Sequence, residues 1–164
     1  MKLPLLILIL TFTIANTAYE ITSRSYNGIN IGMTAEQALE RLSDYVSTKQ
    51  YSDDGSCYYL SPANGQPGAN IMIIDGKVGR FDVYEESQQV KTAKGIGIGS
   101  TKKSVLAVYP DLLATEHEYL GSAGEYLTIN QEDGFAIIFE TYKDVVTSFR
   151  MGKFPAVGYI EGCS

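Results

Sequence analysis

The sequence predicts an α+β fold built from two tandem repeats, each with a short helical segment followed by three or four antiparallel strands. The stretch Gly28–Thr34 recurs as Gly95–Thr101, and equivalent glycine and threonine residues are 67 positions apart. After each copy, the apolar spacing changes from the helical period of 3.6 toward the strand period of two. One half of about 65 residues would bury too little surface to be stable alone. We therefore expect one continuous antiparallel sheet shared by both halves, with the helices on one face.

The N-terminal residues 1–18 have the order of a secretory signal peptide: basic Lys2, a mainly apolar segment at 3–14, and small residues up to Ala18. The apolar segment is shorter than the roughly 20 residues of a permanent membrane span, although a retained anchor is the alternative. We expect a secreted or periplasmic protein whose single mature domain is residues 19–164. The expected units are repeat 1 at about 26–91 and repeat 2 at about 93–160, followed by a C-terminal tail.

Each repeat opens with a helix signal. Thr34 and Gln37 form the pattern of a capping box, in which two side chains satisfy free backbone N–H groups reciprocally, and the spacing predicts a helix over about 35–47. In the second repeat, Ser100 or Thr101 is the expected cap of a helix over about 102–109. That helix should end before Pro110, because proline disfavours helical geometry in the residue preceding it.

The strand pattern follows each helix. In the first repeat Asp75-Gly76 separates two β-prone runs, which is the strongest short signal for a hairpin turn. The strands expected in the first repeat are 57–60, 70–74 and 77–84. Those expected in the second repeat are 115–120, 125–129, 135–141 and 145–151, with turns at 121–124 and 131–134.

The two cysteines, Cys57 and Cys163, predict a disulfide, because an exported protein folds under oxidising conditions. This bond would fasten the C-terminal tail onto the first repeat. The alternative, a catalytic thiol, would need a general base, and the only histidine is His117. Two cysteines and one histidine are too few for a usual zinc site, so we expect neither a metal nor another cofactor.

The net charge is −6, from 19 acidic and 13 basic residues. No Lys/Arg cluster is present to release counterions from phosphates, which argues against nucleic acid and anionic membranes as partners. No later apolar stretch is long enough to span a bilayer once the signal is removed. If electrostatics guides a protein partner, that partner is basic; alternatively, the acidity only confers solubility.

Three short motifs suggest chemistry but have structural explanations. Gly95–Gly99 followed by Lys102 and Lys103 lacks both phosphate-loop spacings, and the Ser-x-x-Lys pattern of Ser100–Lys103 lacks the companion elements of penicillin-recognising enzymes. In 116–118, alternation along a strand places Glu116 and Glu118 on one face and His117 on the other. We therefore expect no catalytic residues.

The chain has twelve tyrosines and no tryptophan. Tyrosine is common in strands as a packing residue, and it is also enriched where proteins bind proteins. Tyr58, Tyr119 and Tyr126, together with Tyr159, are the aromatic residues that we expect on the more solvated face of the sheet. The first three are the candidate partner-binding residues.

A family resemblance follows from these motifs. The glycine turn leading into a capped helix, and the Val-x-x-Phe pattern at Val78/Phe81 and Val146/Phe149, resemble the SmpA/OmlA-like domain and the tandem form of it in β-lactamase inhibitory proteins. The resemblance implies a helical pair on an antiparallel sheet whose concave face clamps a partner enzyme. The ending 158–163 is similar to the tail of a group of exported bacterial proteins. No inhibitory residue has a recognisable match here.

The function expected from the sequence is that of an exported, soluble, protein-binding module, in the form of an enzyme inhibitor or an immunity protein. One alternative is a small periplasmic hydrolase acting on envelope glycans or peptidoglycan. Its candidate carboxylates are Glu116, Glu118, Glu125 and Glu140. A second alternative is an envelope assembly factor.

Overall fold

The computed structural model describes residues 19–49 and 54–163, so the predicted signal peptide, residues 1–18, lies outside the described residues. Within these ranges the chain is α+β, with two α-helices and twelve strands. The helices are α1, Ala35–Arg41, and α2, Lys102–Val108. The strands are β1 Tyr19–Ile21, β2 Ser25–Tyr26, β3 Ile29–Asn30, β4 Tyr45–Ser47, β5 Cys57–Pro62, β6 Asn70–Ile74, β7 Lys77–Val83, β8 Val90–Thr92, β9 Leu113–His117, β10 Gly121–Asn130, β11 Phe135–Tyr142 and β12 Val145–Lys153.

Eight of these strands form one antiparallel sheet in the order β4-β5-β6-β7-β12-β11-β10-β9. The four strands of the first half are therefore joined edge to edge to the four strands of the second half. The junction is the pairing of β7 with β12, where Phe81 is opposite Met151 and Val83 is opposite Phe149. Each half runs outward from this junction to its own edge, β4 or β9.

The expectation of a single continuous sheet is wrong, because a second sheet is present. It has four strands in the order β3-β2-β1-β8, and β1 pairs with β8 in parallel, from Tyr19 opposite Val90 to Ile21 opposite Thr92. Its strands contain only two or three residues each. Such short strands carry too few alternating positions to be recognised from sequence, and they form because Ile21, Ile29 and Val90 are buried here.

The main core lies between one face of the eight-stranded sheet and a layer made of both helices and the small sheet. We call this side of the large sheet the core face. The buried residues alternate along the strands with residues of the opposite face, as expected for strands with one apolar side. The core-face residues of the large sheet include Leu60, Ile71, Ile73, Phe81, Val83, Leu127, Ile137, Phe139, Phe149 and Met151.

The helix caps agree with the sequence. Thr34 Oγ1 accepts from the Gln37 backbone N–H at 3.2 Å, and Gln37 Oε1 accepts from the Thr34 N–H at 3.1 Å, which completes the capping box. Thr101 caps α2 by accepting from the Ser104 N–H at 3.2 Å. The predicted extension of the first helix to about residue 47 is wrong: α1 ends at Arg41. Strand pairing with β5 overrides the helical pattern, and the last three residues of the predicted helix, 45–47, form β4.

The end of β9 and the start of β10 also differ from the predicted positions. The turn expected at 121–124 is part of β10, and β9 begins and ends earlier than 115–120. A bulge between Gly121 and Glu125 allows β10 to continue through this glycine-rich stretch. A period-two pattern cannot show such a bulge, because the extra residue breaks the alternation.

The two glycine turns connect each helix start to a hairpin in the same way. The N–H of the turn glycine and of the first helical residue donate to the hairpin that ends the same half, and the hairpin donates one bond in return. In the first half these bonds are Gly32 N–H to Val78 O, Ala35 N–H to Gly76 O, and Val78 N–H to Met33 O, at 2.8, 3.0 and 2.8 Å. In the second half they are Gly99 N–H to Val146 O, Lys102 N–H to Asp144 O, and Val146 N–H to Ser100 O, at 2.9, 2.8 and 2.9 Å.

Replacing the second turn glycine tests its conformational role. Gly99 has φ +82°, and a Cβ atom there would meet nothing within 4 Å, so Gly99→Ala introduces backbone strain without a clash. We expect a loss of about 1 to 2 kcal/mol in the free energy of unfolding, measured by urea denaturation. Lys103→Ala, in the first turn of α2, is the control and should change stability by less than about 0.5 kcal/mol. Equal unfolding midpoints for Gly99→Ala and the wild type would contradict this role.

Candidate functional site

The side of the large sheet opposite the core, which we call the outer face, carries four charged side chains and a histidine. They come from four strands: Arg80 and Asp82 from β7, Arg150 from β12, Glu140 from β11 and His117 from β9. Arg150 is opposite Asp82 across the junction between the two halves. We call these five residues the outer-face cluster. Only Glu140 is more than slightly exposed, so the cluster lies largely away from water.

Arg80 has a partner for each of its nitrogen atoms. Its Nε lies 3.0 Å from the Asp82 carboxylate, and one terminal nitrogen donates to the Tyr59 hydroxyl at 3.2 Å. The other donates to the carbonyl oxygens of Ala156 and Tyr159 at 3.0 and 2.5 Å. Burial by itself lowers the pKa of Arg80, but Asp82 and Tyr59 raise it above its ordinary value, so Arg80 remains a cation.

For the Asp82 carboxyl, the effect of burial outweighs that of the neighbouring positive charges. Burial raises the pKa of the Asp82 carboxyl, and the positive charges of Arg80 and Arg150 only partly oppose this effect. A buried carboxylate is costly unless it is paired and hydrogen-bonded. Asp82 therefore depends on both arginines, one from its own strand and one from the neighbouring strand of the other half.

The second group of contacts centres on Glu140. Its carboxylate forms an ion pair with Arg150, accepts from Ser148 Oγ at 3.1 Å, and lies 3.5 Å from His117 Nε2. His117 Nδ1 accepts from the Tyr119 backbone N–H at 3.2 Å. Nδ1 of His117 is thus hydrogen-bonded within the protein, and Nε2 faces the Glu140 carboxylate.

Aromatic packing completes this end of the cluster. The His117 ring stacks on the Tyr126 ring, with centroids 4.4 Å apart and planes 20° apart. The Arg150 guanidinium lies 5.4 Å from the centroid of the same Tyr126 ring. Tyr126 therefore supports both a cation and the histidine, rather than presenting its own surface to solvent.

The C-terminal tail, residues 154–163, lies on the outer face. Val157 packs against Tyr126, Ala136 and Ile138 in a small second apolar cluster, and its carbonyl oxygen accepts from Arg150 Nε at 2.8 Å. The predicted disulfide is confirmed: Cys163 is bonded to Cys57 on β5, with the two Cα atoms 5.3 Å apart. The tail therefore covers the cluster and is fixed at its end to the first half of the sheet.

The structure separates the three candidate tyrosines. The expectation that Tyr58 lies on the more solvated face is wrong: it is opposite Ile73, points to the core face and is only 6% exposed. Its neighbours Cys57 and Tyr59 lie on the outer face, where Cys57 forms the disulfide and the Tyr59 hydroxyl accepts from Arg80. Tyr126 is on the outer face but 8% exposed, whereas Tyr119 is 63% exposed.

The four candidate carboxylates do not form one group: Glu116 is opposite Glu125 on the core-face side of β9 and β10, whereas Glu140 lies on the outer face. Glu116 and Glu118 are exposed, and Glu125 forms an ion pair with Lys102 of α2. Only Glu140 belongs to the outer-face cluster. The sequence analysis did not single out Arg80, Asp82 or Arg150, although charged residues alternating with Phe81 and Phe149 in two central strands were a signal that the second face is also covered.

A second surface of interest lies beside α2. Side chains of Leu106 and Val145 line a groove together with Lys143, and a neighbouring groove of about 390 Å³ follows β9, the β10 bulge and the same Lys143 turn. Tyr142 is opposite Val145, and Leu120 lies over Gly124, which is opposite Tyr142. We call Leu106, Leu120, Tyr142 and Val145 the apolar rim; all four are exposed.

Within residues 19–49 and 54–163, no group of three or more His, Cys, Asp or Glu side chains is placed to hold a metal ion. In the same part of the chain, no helix has the length and apolar character needed to cross a membrane.

Comparison with known proteins gave no match to a protein-family model, to a curated protein or to a solved structure. The resemblance to SmpA/OmlA-like domains and β-lactamase inhibitory proteins therefore stays a prediction.

The buried pair of Arg80 and Asp82 yields a first test of the cluster. Arg80→Met leaves Asp82 buried without its nearest cation, so we expect a loss of about 3 to 5 kcal/mol in the free energy of unfolding. The double variant Arg80→Met/Asp82→Leu removes both charges and should recover part of that loss. Arg24→Met, which breaks the exposed Arg24–Asp133 pair, is the control, with an expected loss below about 1 kcal/mol. A double variant no more stable than Arg80→Met contradicts the paired-charge account.

Tyr59 provides a test by pH. Burial, with a smaller contribution from Asp82, raises the pKa of the Tyr59 hydroxyl above its ordinary value of about 10. As the pH rises past 10, the unfolded chain loses this proton before the folded protein does, so stability decreases. Tyr59→Phe removes the ionisable hydroxyl. The free energy of unfolding of this variant, measured by urea denaturation, should therefore decrease less steeply between pH 9 and pH 11 than that of the wild type. Identical slopes for Tyr59→Phe and the wild type would refute the assignment.

Proposed function

We propose that this chain is an exported, non-enzymatic module that binds a protein partner, with an enzyme inhibitor or an immunity protein as the concrete versions. The observation that carries the proposal is the concentration of exposed apolar and aromatic side chains on the second half, around an open edge of the large sheet. Large exposed apolar patches on a soluble domain are typical of interaction sites. The expected acidity of the surface and the predicted signal peptide favour an extracytoplasmic, basic partner.

The distribution of exposed side chains supports a defined surface. Of the eleven large hydrophobic residues that are exposed in the described part of the chain, six lie on α2, β9, the loop after β9, or the β11–β12 hairpin. Four of the six form the apolar rim: Leu106 and Val145 line one groove with Lys143, and Leu120 and Tyr142 both adjoin Gly124. The six are Leu106, Leu113, Tyr119, Leu120, Tyr142 and Val145.

The geometry of the outer-face cluster favours binding over hydrolysis. A general base must have a nitrogen or oxygen atom within hydrogen-bond reach of the substrate proton. His117 Nδ1 already accepts a backbone N–H, His117 is largely buried with Nε2 facing Glu140, and Glu140 is held by Arg150 and Ser148. The remaining candidate carboxylates of the hydrolase alternative lie outside this cluster, and Glu125 is paired with Lys102.

The architecture is consistent with duplication, and we infer that the chain consists of two tandem repeats. Support comes from the matched hydrogen bonds that connect each glycine turn to its hairpin, at sequence offsets of 67 and 68. Asp82 and Arg150 occupy equivalent positions by the same offset. If the resemblance to tandem β-lactamase inhibitory proteins reflects function, the partner is an enzyme. In this chain the tail covers the corresponding sheet face, so we place the partner on the rim and edge of the second half.

The proposal is tested by capture with the oxidised mature protein, residues 19–164, immobilised and exposed to secreted and periplasmic proteins of the producing organism and its neighbours. Leu120→Asp/Tyr142→Ala disrupts the apolar rim without touching the core. Val46→Ala changes an exposed residue on β4, at the opposite edge of the sheet, and is the matched control.

We expect one stoichiometric partner bound by the wild type and by Val46→Ala, with at least a tenfold weaker affinity for Leu120→Asp/Tyr142→Ala. Capture that is insensitive to the rim variant would place the interface elsewhere. Failure to bind any partner, together with wild-type turnover of peptidoglycan or glycans that Glu140→Gln abolishes, would replace the binding function by the hydrolase alternative.

A further inference from the structure

The large sheet has an open edge at β9. In the described part of the chain β9 pairs only with β10, and its residues from Leu113 to Glu116 are all exposed. In an antiparallel ladder, alternate residues direct their N–H and C=O groups away from the neighbouring strand. On β9 these groups face solvent and can accept another strand. The opposite edge, β4, has only three residues.

The sequence of β9 leaves this edge suited to pairing. Natural edge strands are commonly protected by lysine, by proline or by a bulge in the edge strand itself. Leu113–His117 contains neither lysine nor proline, and its pairing with β10 is regular from Leu113 to Glu116. The bulge of this pair lies in β10, beyond the regular segment.

The exposed charged residues of β9 and of the turns that flank it are all acidic. Between Lys103 and Lys143 the chain contains no lysine or arginine, and Asp111, Glu116 and Glu118 are exposed beside the edge. Glu116 forms no ion pair within the described residues, whereas the neighbouring Glu125 is paired with Lys102. A second copy of this chain would bring the same acidic side chains together, so self-pairing is disfavoured and a basic segment is attracted.

We propose that β9 binds an extended segment of the partner protein as an added strand, and that this segment alternates apolar with basic residues. The inference rests on the proposed function and adds the partner's chemistry to it. The alternation follows from the two sides of β9: Leu113 and Thr115 share the outer face with Thr128 and Tyr126, whereas Glu116 lies on the core-face side. Apolar side chains of the added strand lie beside Leu113, and basic ones meet Glu116.

The test uses the oxidised mature protein and a capped nine-residue peptide of alternating valine and lysine, with the dissociation constant measured by calorimetry. Two control peptides separate the contributions of backbone and charge. One has every backbone amide N-methylated, which removes strand pairing and keeps the charge; the other has glutamate in place of lysine. On the protein side, Glu116→Lys/Glu118→Lys reverses the edge charge, and Glu132→Lys changes an exposed acidic residue in the β10–β11 turn as the matched control.

We expect the valine–lysine peptide to bind the wild type and Glu132→Lys equally, and to protect the amides of β9 from hydrogen exchange. Its dissociation constant should rise at least tenfold on N-methylation, on replacement of lysine by glutamate, and in Glu116→Lys/Glu118→Lys. Absence of binding, or equal affinity for the N-methylated or glutamate peptide, overturns the inference.

The captured partner distinguishes this inference from the proposed function. If Glu116→Lys/Glu118→Lys retains the partner while Leu120→Asp/Tyr142→Ala loses it, the strand addition is wrong and the binding function stands. If neither partner nor peptide binds, both are wrong.

Discussion

Two arginines buried on the outer face of the sheet set the main constraint on this structure. A buried guanidinium needs a negative partner and hydrogen-bond acceptors for its N–H groups, because an unpaired buried charge or an unsatisfied buried donor costs several kcal/mol. Arg80 and Arg150 meet this requirement with Asp82 and Glu140 from the strands and with carbonyl oxygens of Ala156, Val157 and Tyr159 from the tail. The tail is therefore part of the fold, and the disulfide holds its end in place.

This constraint also bears on where the proposed partner would bind. A sheet face filled by its own tail has no free concave surface to offer, unlike the face that the family resemblance implies. Six of the eleven large exposed hydrophobic residues of the described chain lie instead on the second half, near the five-residue open edge β9. Local features of the sequence there, an acidic stretch without lysine and an edge strand without proline, are consistent with recognition of an extended basic segment.

Features determined by neighbouring residues could be predicted from the sequence. The Thr34–Gln37 capping box, the Asp75-Gly76 turn and the change of apolar period depend on contacts within a few residues, and two cysteines allow only one disulfide pairing. Features determined by distant packing could not. The small sheet, the early end of α1 and the core-face position of Tyr58 depend on which strands pair and on which face the disulfide requires. The outer-face cluster combines residues from four strands, so no local spacing reveals it.

The most direct measurement of the central claim is ¹⁵N NMR of the arginine Nε–H groups, before and after reduction of Cys57–Cys163. Arg80 Nε–H donates to Asp82 within its own strand, whereas Arg150 Nε–H donates to Val157 in the tail. In the oxidised protein both signals should be present and slow to exchange with water. After reduction releases the tail, the Arg150 signal should exchange rapidly while the Arg80 signal persists. Unchanged exchange at Arg150 after reduction, or rapid exchange of both signals in the oxidised protein, would contradict a face sealed by its own tail.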